Sequence, residues 1–254
     1  MDLSIYERDV FSRYKSSSQI ARVLTERWFE REMYCPACSA DSLKQFEANR
    51  RAVDFFCKDC RNAFQLKASR REFGNRVVDG AYKTMAEFIS ANQNPTFFFL
   101  HYSPKDWMVL DLLIVPKFFV SSSFLEKREP LKKGARREGW VGCNLLLERI
   151  PAEGKILVVE EGKDRSKQKV RREWRKMGFL EESESRGWTV DVLKCVEEIG
   201  KKRFSLKEVY QFENRLKDLH PENHHIKAKI RQQLQILRDR GILKFFGNGE
   251  YGLL

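Results

Sequence analysis

No apolar run in the chain approaches the roughly 18 residues that a bilayer span requires. The opening stretch, MDLSIYERDVFSRYK, lacks the basic-then-apolar pattern of an export signal. Both absences point to a cytoplasmic protein with no membrane partner. Acidic charge is also short: 36 Asp and Glu stand against 48 Lys and Arg, a formal net charge of +12. Such an excess favours a polyanionic partner, and nucleic acid is the commonest. Cysteine is scarce, with six in 254 residues. In a cytosolic chain, paired thiols read as metal ligands before disulfides. What is present suffices for a folded protein. Hydrophobic residues make up 42% of the chain, and its length accommodates one large domain or two ordinary ones.

Four of the cysteines, Cys35, Cys38, Cys57 and Cys60, form two C-x2-C pairs separated by 18 residues. That spacing fits two knuckles closing a tetrahedral zinc site with no position left for a substrate. The plainer alternative is two unrelated buried pairs. Cys143 and Cys195 read as small core residues.

The hydrophobic pattern divides the chain. Residues 19–33 place Ile20, Val23, Leu24 and Trp28 at helical spacing. Strand-like runs follow: AVDFF, AFQLK, TFFFLHY and MVLDLLIVP. A helical stretch, DGAYKTMAEFISANQ, lies between the second and third. Residues 121–139 read as a polar, basic surface loop, KILVVEEGK as a later strand and KQKVRREWRKMGFL as a basic helix. Together these predict an α/β or α+β domain with a mixed sheet.

The segment EESESRG, 181–187, reads as a linker, dividing the chain into domains 1–181 and 182–254. Beyond it, Val192, Cys195, Val196 and Ile199 fall on one helical face. Ser205 and Glu208 make a capping box, and Val209, Phe212, Leu216 and Leu219 continue that helix. A third helix over about 223–239 buries Ile226, Ile230, Leu234 and Leu237, and two short strands then flank Gly-Asn-Gly. Three helices and a terminal hairpin predict a winged helix. The outer face of the third helix carries His225, Lys227, Ala228, Arg231, Gln232 and Gln235. Arg and Gln suit guanine and adenine edges in the major groove, although a solvated face of a protein-interaction module has the same pattern.

The stretch DFFCKDCRNAFQLK, 54–67, places a cysteine pair between an aspartate and a Gln-x-Lys. If AVDFF and AFQLK pair as a hairpin, side-chain alternation sets Gln65 and Lys67 on one side, and Asp54 joins them if the arms are in register. Cys57 and Cys60 then lie in the connection, where zinc braces the hairpin structurally. Asp54 is a candidate ligand for Mg²⁺, which prefers oxygen donors. Lys67 is a candidate to orient or deprotonate an attacking water, and Glu26 on the first helix is placed to join them. This aspartate, Gln-x-Lys pattern is the arrangement of PD-(D/E)xK nucleases.

Ordered blocks along the chain, YCPACSADSL, VDFFCKDC, QLK, NPTFFFL, ARREGWVGCN, SRGWTVDVL and HIKAKIRQQLQILRD, resemble the DpnI type of methyladenine-dependent restriction endonucleases. The resemblance implies a PD-(D/E)xK domain with an internal zinc site followed by a winged helix. It implies Mg²⁺-dependent hydrolysis of double-stranded DNA at GATC carrying N6-methyladenine, with both domains reading the methylated sequence. Asp54, Gln65 and Lys67 match catalytic positions, Asp54 and Gln65 on the magnesium and the four cysteines on the zinc. Trp140 matches the methyladenine contact, flanked by Arg136, Arg137 and Asn144, and the residues alone would make it a core or loop anchor. Arg231 and Gln232 match the recognition helix. Two departures stand out: Gln65 replaces a glutamate, and RAVD stands where a proline precedes the aspartate. The first admits the alternative of a catalytically weak or inactive reader of methylated DNA, and a regulator using only the winged helix is a third class. The oligomeric state is left open, a monomer included.

Overall fold

The computed structural model describes residues 1–6, 9–47 and 52–254, so Arg51 of the RAVD segment lies outside the described residues. After a short helical turn, α1 (Val10–Arg13) leads into α2 (Ser17–Glu32). Next come β1 (Lys44–Gln45), β2 (Phe55–Phe56), β3 (Ala63–Ser69), β4 (Arg76–Ala81), α3 (Tyr82–Ser90), β5 (Thr96–Ser103) and β6 (Met108–Val115). The first half ends with β7 (Leu125–Lys127), β8 (Gly142–Leu146), β9 (Ile156–Glu160), β10 (Lys163–Asp164) and α4 (Lys167–Lys176). Seven strands form one mixed sheet in the order β1-β2-β3-β5-β6-β9-β10, in which β3 and β5 run parallel. A second sheet, β4-β8-β7, stands apart from it.

The core is aromatic. Phe97, Phe98 and Phe99 are buried in succession along β5, as a central strand covered on both faces requires. On one face Phe98 meets Phe29 of α2 at 4.8 Å and Phe64 of β3 at 5.6 Å. On α2 the buried set is Ala21, Leu24, Thr25, Trp28 and Phe29. Ile20 and Val23 therefore flank the buried stripe instead of centring it. α2 thus lies across the strands that carry Asp54 and Gln65, which brings Glu26 to the same end of the sheet.

Two expectations are corrected here. The stretch from Asp79 was expected to be helical throughout, but the helix starts at Tyr82 and Asp79 to Ala81 finish β4. Burial along β4 alternates, with Val77 and Asp79 in and Arg76 and Val78 out, and pairing with β8 selects the strand. The supposed surface loop at 121–139 begins with a turn over Ser122–Phe124 that buries Phe124, followed by β7. It is continuously exposed only beyond that strand.

The C-terminal part contains α5 (Arg186–Ile199), β11 (Arg203–Ser205), α6 (Leu206–Tyr210), α7 (Glu213–Leu219), α8 (Ile226–Asp239), β12 (Leu243–Gly247) and β13 (Glu250–Leu253). The capping box at Ser205 and Glu208 is formed in both directions. Its helix breaks near Phe212 into α6 and α7, so the run from Val209 to Leu219 is not one helix. Ile226, Ile230, Leu234 and Leu237 of α8 are buried as expected. Asn248 and Gly249 both have positive φ, which a two-residue turn of the strand-matching hand demands. The strand order β11-β13-β12 completes a helix-turn-helix unit with a terminal wing. It joins the first part through Asp191 of α5, which is buried and accepts hydrogen bonds from Ser123 (2.8 Å) and pairs with His220 (2.8 Å). Among the described residues no helix is long and apolar enough to cross a membrane.

Candidate active site and nucleic-acid interface

β2 and β3 form the expected antiparallel hairpin, with Phe55 opposite Phe64. The Asp54 N–H donates to the Phe64 carbonyl at 2.8 Å, tying Asp54 to β3 beside Gln65. One carboxylate oxygen of Asp54 accepts the Leu66 N–H at 2.9 Å. Burial raises the Asp54 carboxyl above the usual range. The Leu66 N–H and Lys67 oppose that shift, and Asp79 adds to it.

Glu26 of α2 accepts a hydrogen bond from the Gln45 amide at 3.2 Å. Burial raises its carboxyl too, with Asp54 adding to the rise and Arg22, Gln45 and Arg27 opposing it. Electrostatics thus link Glu26 to Asp54 and Asp54 to Lys67 in one neighbourhood, with Gln65 on the same strand as Lys67.

A further residue belongs to it. Lys67 forms an ion pair with Oδ1 of Asp79, whose side chain is 2% exposed. The remaining Asp79 oxygen, Oδ2, is buried without a hydrogen-bond partner among the described residues, and so is Oε1 of Gln65. Buried acceptors are almost always satisfied, so the orphaned Gln65 oxygen, on the strand that pairs next to Asp54, is compatible with a cation ligand. The donor set is all oxygen, as magnesium prefers. Asp54 and Gln65 are the residues that would hold it. Reading the sequence missed Asp79 because its stretch was assigned to a helix.

Cys57 and Cys60 occupy the turn of the hairpin, and Cys35 and Cys38 follow α2. All four Sγ atoms lie within 4.8 Å of one another. Cys35 to Cys60 is 3.5 Å and Cys38 to Cys57 is 3.6 Å. A tetrahedron with zinc–sulfur bonds of about 2.3 Å has edges of about 3.8 Å, so the cluster fits a structural zinc. The Asn62 amide donates to Cys60 Sγ (3.3 Å) and the Ala40 N–H to Cys38 Sγ (3.5 Å). Arg171 of α4 donates to the carbonyls of Cys35 (3.1 Å) and Ala40 (2.8 Å), clamping the first knuckle from outside. Cys143 and Cys195 are buried core residues.

Trp140 sits just before β8. Its ring carbons Cη2 and Cζ3 lie over Gly142, where a Cβ would be 2.9 Å from each. The Arg137 guanidinium stacks 4.7 Å from the ring centroid. Arg136 and Arg137 are exposed on the preceding loop. Asn144 is half-buried in β8, and its amide donates to Glu126 at 2.7 Å. In the C-terminal unit His225, Lys227, Arg231, Gln232 and Gln235 are all exposed on α8. Arg231 donates to the Tyr210 hydroxyl at 2.8 Å and Lys227 pairs with Glu213 at 3.3 Å. Gln233 is different: it is buried and accepts from Thr189 at 2.7 Å, joining α8 to α5.

The family model described as DpnI, Dam-replacing family, matches residues 1–183, and the one described as Dam-replacing HTH domain matches residues 184–252. The boundary between the two falls just ahead of α5. With the first match spanning the sheet, the cysteine cluster and the Asp54 hairpin, and the second the helix-turn-helix and its wing, the chain belongs to the DpnI family of Dam-replacing proteins.

Proposed function

We propose that the chain is a methyladenine-dependent type II restriction endonuclease, hydrolysing double-stranded DNA at GATC sites that carry N6-methyladenine. The observation that carries this reading is the placement of Asp54, Gln65 and Lys67 on one hairpin, with Gln65 presenting a buried oxygen that has no partner among the described residues. In the reaction a water oxygen attacks phosphorus and the bond to the 3′ oxygen breaks, leaving 5′-phosphate and 3′-hydroxyl ends. Asp54 and Gln65 would hold a magnesium ion, which would supply Lewis acidity toward the phosphate. Lys67 places positive charge beside the phosphorane and orients the attacking water. Asp54 is held in position by the Leu66 N–H, and Glu26 adds a second carboxylate nearby.

Division of labour follows the two parts. Residues 1–181 cleave and read the methyl group through Trp140, whose apolar indole rewards a methyl that water does not. Residues 182–254 read the same sequence through Arg231 and Gln232, with His225, Lys227 and Gln235 beside them. Zinc at the four cysteines braces the hairpin.

A second reading is favoured by one observation: Gln65 is neutral where a carboxylate would bind a cation more strongly in a partly desolvated site. On that reading the chain binds methylated DNA without cutting it. The test is plasmid cleavage across Mg²⁺ and Mn²⁺ concentrations, on methylated and unmethylated DNA, for the chain and for Gln65→Glu. Cutting of methylated DNA alone supports the nuclease, with Gln65→Glu needing less metal. Cutting by Gln65→Glu only would establish the reader.

A further inference from the structure

Asp79 lies outside the catalytic hairpin and on a different sheet. It is the last regularly paired residue of its stretch, on the buried face with Val77, and β4 is bulged just beyond it: Asp79 pairs with Cys143 and Ala81 with Gly142, so Gly80 is an extra residue between them. A bulge bends a strand and re-aims a side chain. Here the bulge follows a carboxylate that meets Lys67 from a second sheet, one that shares no strand pairing with the first among the described residues. The same bulge lies beside the indole of Trp140. Gly142 carries Trp140 on its Cα and faces the Gly80 carbonyl, 3.5 Å from where its Cβ would be. The Cys143 thiol also approaches that carbonyl at 3.6 Å. The Tyr82 N–H donates to the Val141 carbonyl at 3.1 Å, fixing the residue between Trp140 and Gly142.

We propose that Asp79 is a positioning residue, fixing the Lys67 ammonium to the strand pair that leads from Trp140 and thereby coupling cleavage to the geometry of methyladenine reading. Lys67 has a flexible four-carbon stem, and its ammonium is a point charge with no preferred direction of its own. On β3 alone it would sample many rotamers. The nearly fully buried Asp79 gives it one address, and that address moves with β4 and β8 instead of with the hairpin. A displacement at the Trp140 seat is thus transmitted to the lysine through Gly142, the β8–β4 pairing and one ion pair. This rests on the nuclease reading above.

The experiment compares the full chain with Asp79→Asn in three measurements. They are single-turnover cleavage of methylated and unmethylated GATC duplexes at saturating Mg²⁺, affinity for both duplexes with Ca²⁺ in place of Mg²⁺, and thermal melting. Misplacing a reacting group by about 1 Å costs on the order of 100-fold, and that loss is expected in the methylated cleavage rate. Affinity for either duplex should change by less than about threefold, below the scale of one lost neutral hydrogen bond. The methylated-to-unmethylated ratio of rates should fall to the ratio of affinities. An unchanged rate overturns the proposal. So does full recovery at high Mn²⁺, which would make Asp79 a cation ligand, and so does a parallel loss of affinity. Asp79→Glu, which keeps the charge but moves it by one methylene, is measured alongside in case the asparagine form does not fold, and an intermediate loss is expected. If the unaltered chain cuts nothing, the comparison is made in a Gln65→Glu background with the same expected ratios. Failure to cut there as well removes the nuclease reading and this proposal with it, whereas cutting that is indifferent to Asp79 removes the proposal alone.

Discussion

Replacing Gly142 by alanine would displace the indole of Trp140 without removing it. The added Cβ would stand 2.9 Å from Cη2 and Cζ3. Carbon atoms in contact prefer about 3.5–4.0 Å, so the ring must retreat by about 0.6–1.1 Å. Gly142 has no positive φ, so alanine adds no backbone strain at that position. A methyl–indole contact contributes about 1–2 kcal/mol if it buries one or two methyl-sized groups. A gap of about 0.5–1 Å forfeits roughly a quarter to a half of such a contact, or about 0.3–1 kcal/mol. Gly142→Ala should therefore lower the preference for methylated over unmethylated duplex about two- to fivefold, and Trp140→Ala about 5- to 30-fold. The assay is competition binding to both duplexes at one salt concentration, since phosphate contacts make affinity salt-dependent. A ratio unchanged in both variants would refute the reasoning and leave Trp140 as a packing residue. A loss equal for both duplexes would do the same.

Elemental analysis of the unchelated protein should find about one zinc per chain, the stoichiometry of a closed tetrathiolate site; Cys57→Ser should lower the melting temperature and weaken DNA binding by the first domain, and zinc-free protein with an intact melt would overturn the assignment. On the recognition helix, Arg231→Ala or Gln232→Ala should relax sequence preference, whereas Lys244→Ala on the wing should weaken all sequences alike and flatten the salt slope. Equal effects of all three on specific and random DNA would indicate a phosphate-only surface. Glu26 offers a test in the pH dependence of stability. Its folded carboxyl is raised chiefly by burial, so the native state holds its proton to higher pH than the unfolded chain does. Stability is then greatest below the ordinary carboxylate range and declines as pH rises through the raised value. Without metal, Glu26→Gln should melt higher than the parent near neutral pH and equally in acid. A gap that persists in acid would mean the effect is not the titration of Glu26.

How much of this was legible in the sequence depended on how far each feature's partners lay along the chain. The four cysteines and the hairpin that carries two of them are set by spacing and alternation within a few dozen residues, and the structure assembles them as expected. Ile226, Ile230, Leu234 and Leu237 likewise declare their helix through local periodicity. The break near Phe212 was hidden because the apolar positions on either side keep nearly helical spacing. Asp79 was hidden for a deeper reason. In VVDGAY nothing local prefers a bulged strand to the start of a helix, and the choice is made by β8, a strand far downstream. Phe29 was passed over in favour of Ile20 and Val23 because hydrophobicity marks a face but not which part of it the sheet will cover.

The clamp that Arg171 places on the first cysteine knuckle has a consequence for synthesis. Donor and acceptor stand 136 residues apart at Cys35 and 131 at Ala40. At about 5–20 residues per second, a chain emerging from the ribosome waits roughly 7–27 s between exposing the knuckle and exposing the arginine that holds it. During that interval the second knuckle can arrive and capture metal, but the outer brace is missing, and for most of it so is β8, the strand that sets Asp79 against Lys67. The order of translation thus delays assembly of the catalytic end until nearly all of the first domain has been made. A nascent chain halted before β8 would hold its cysteines loosely and its lysine without an anchor.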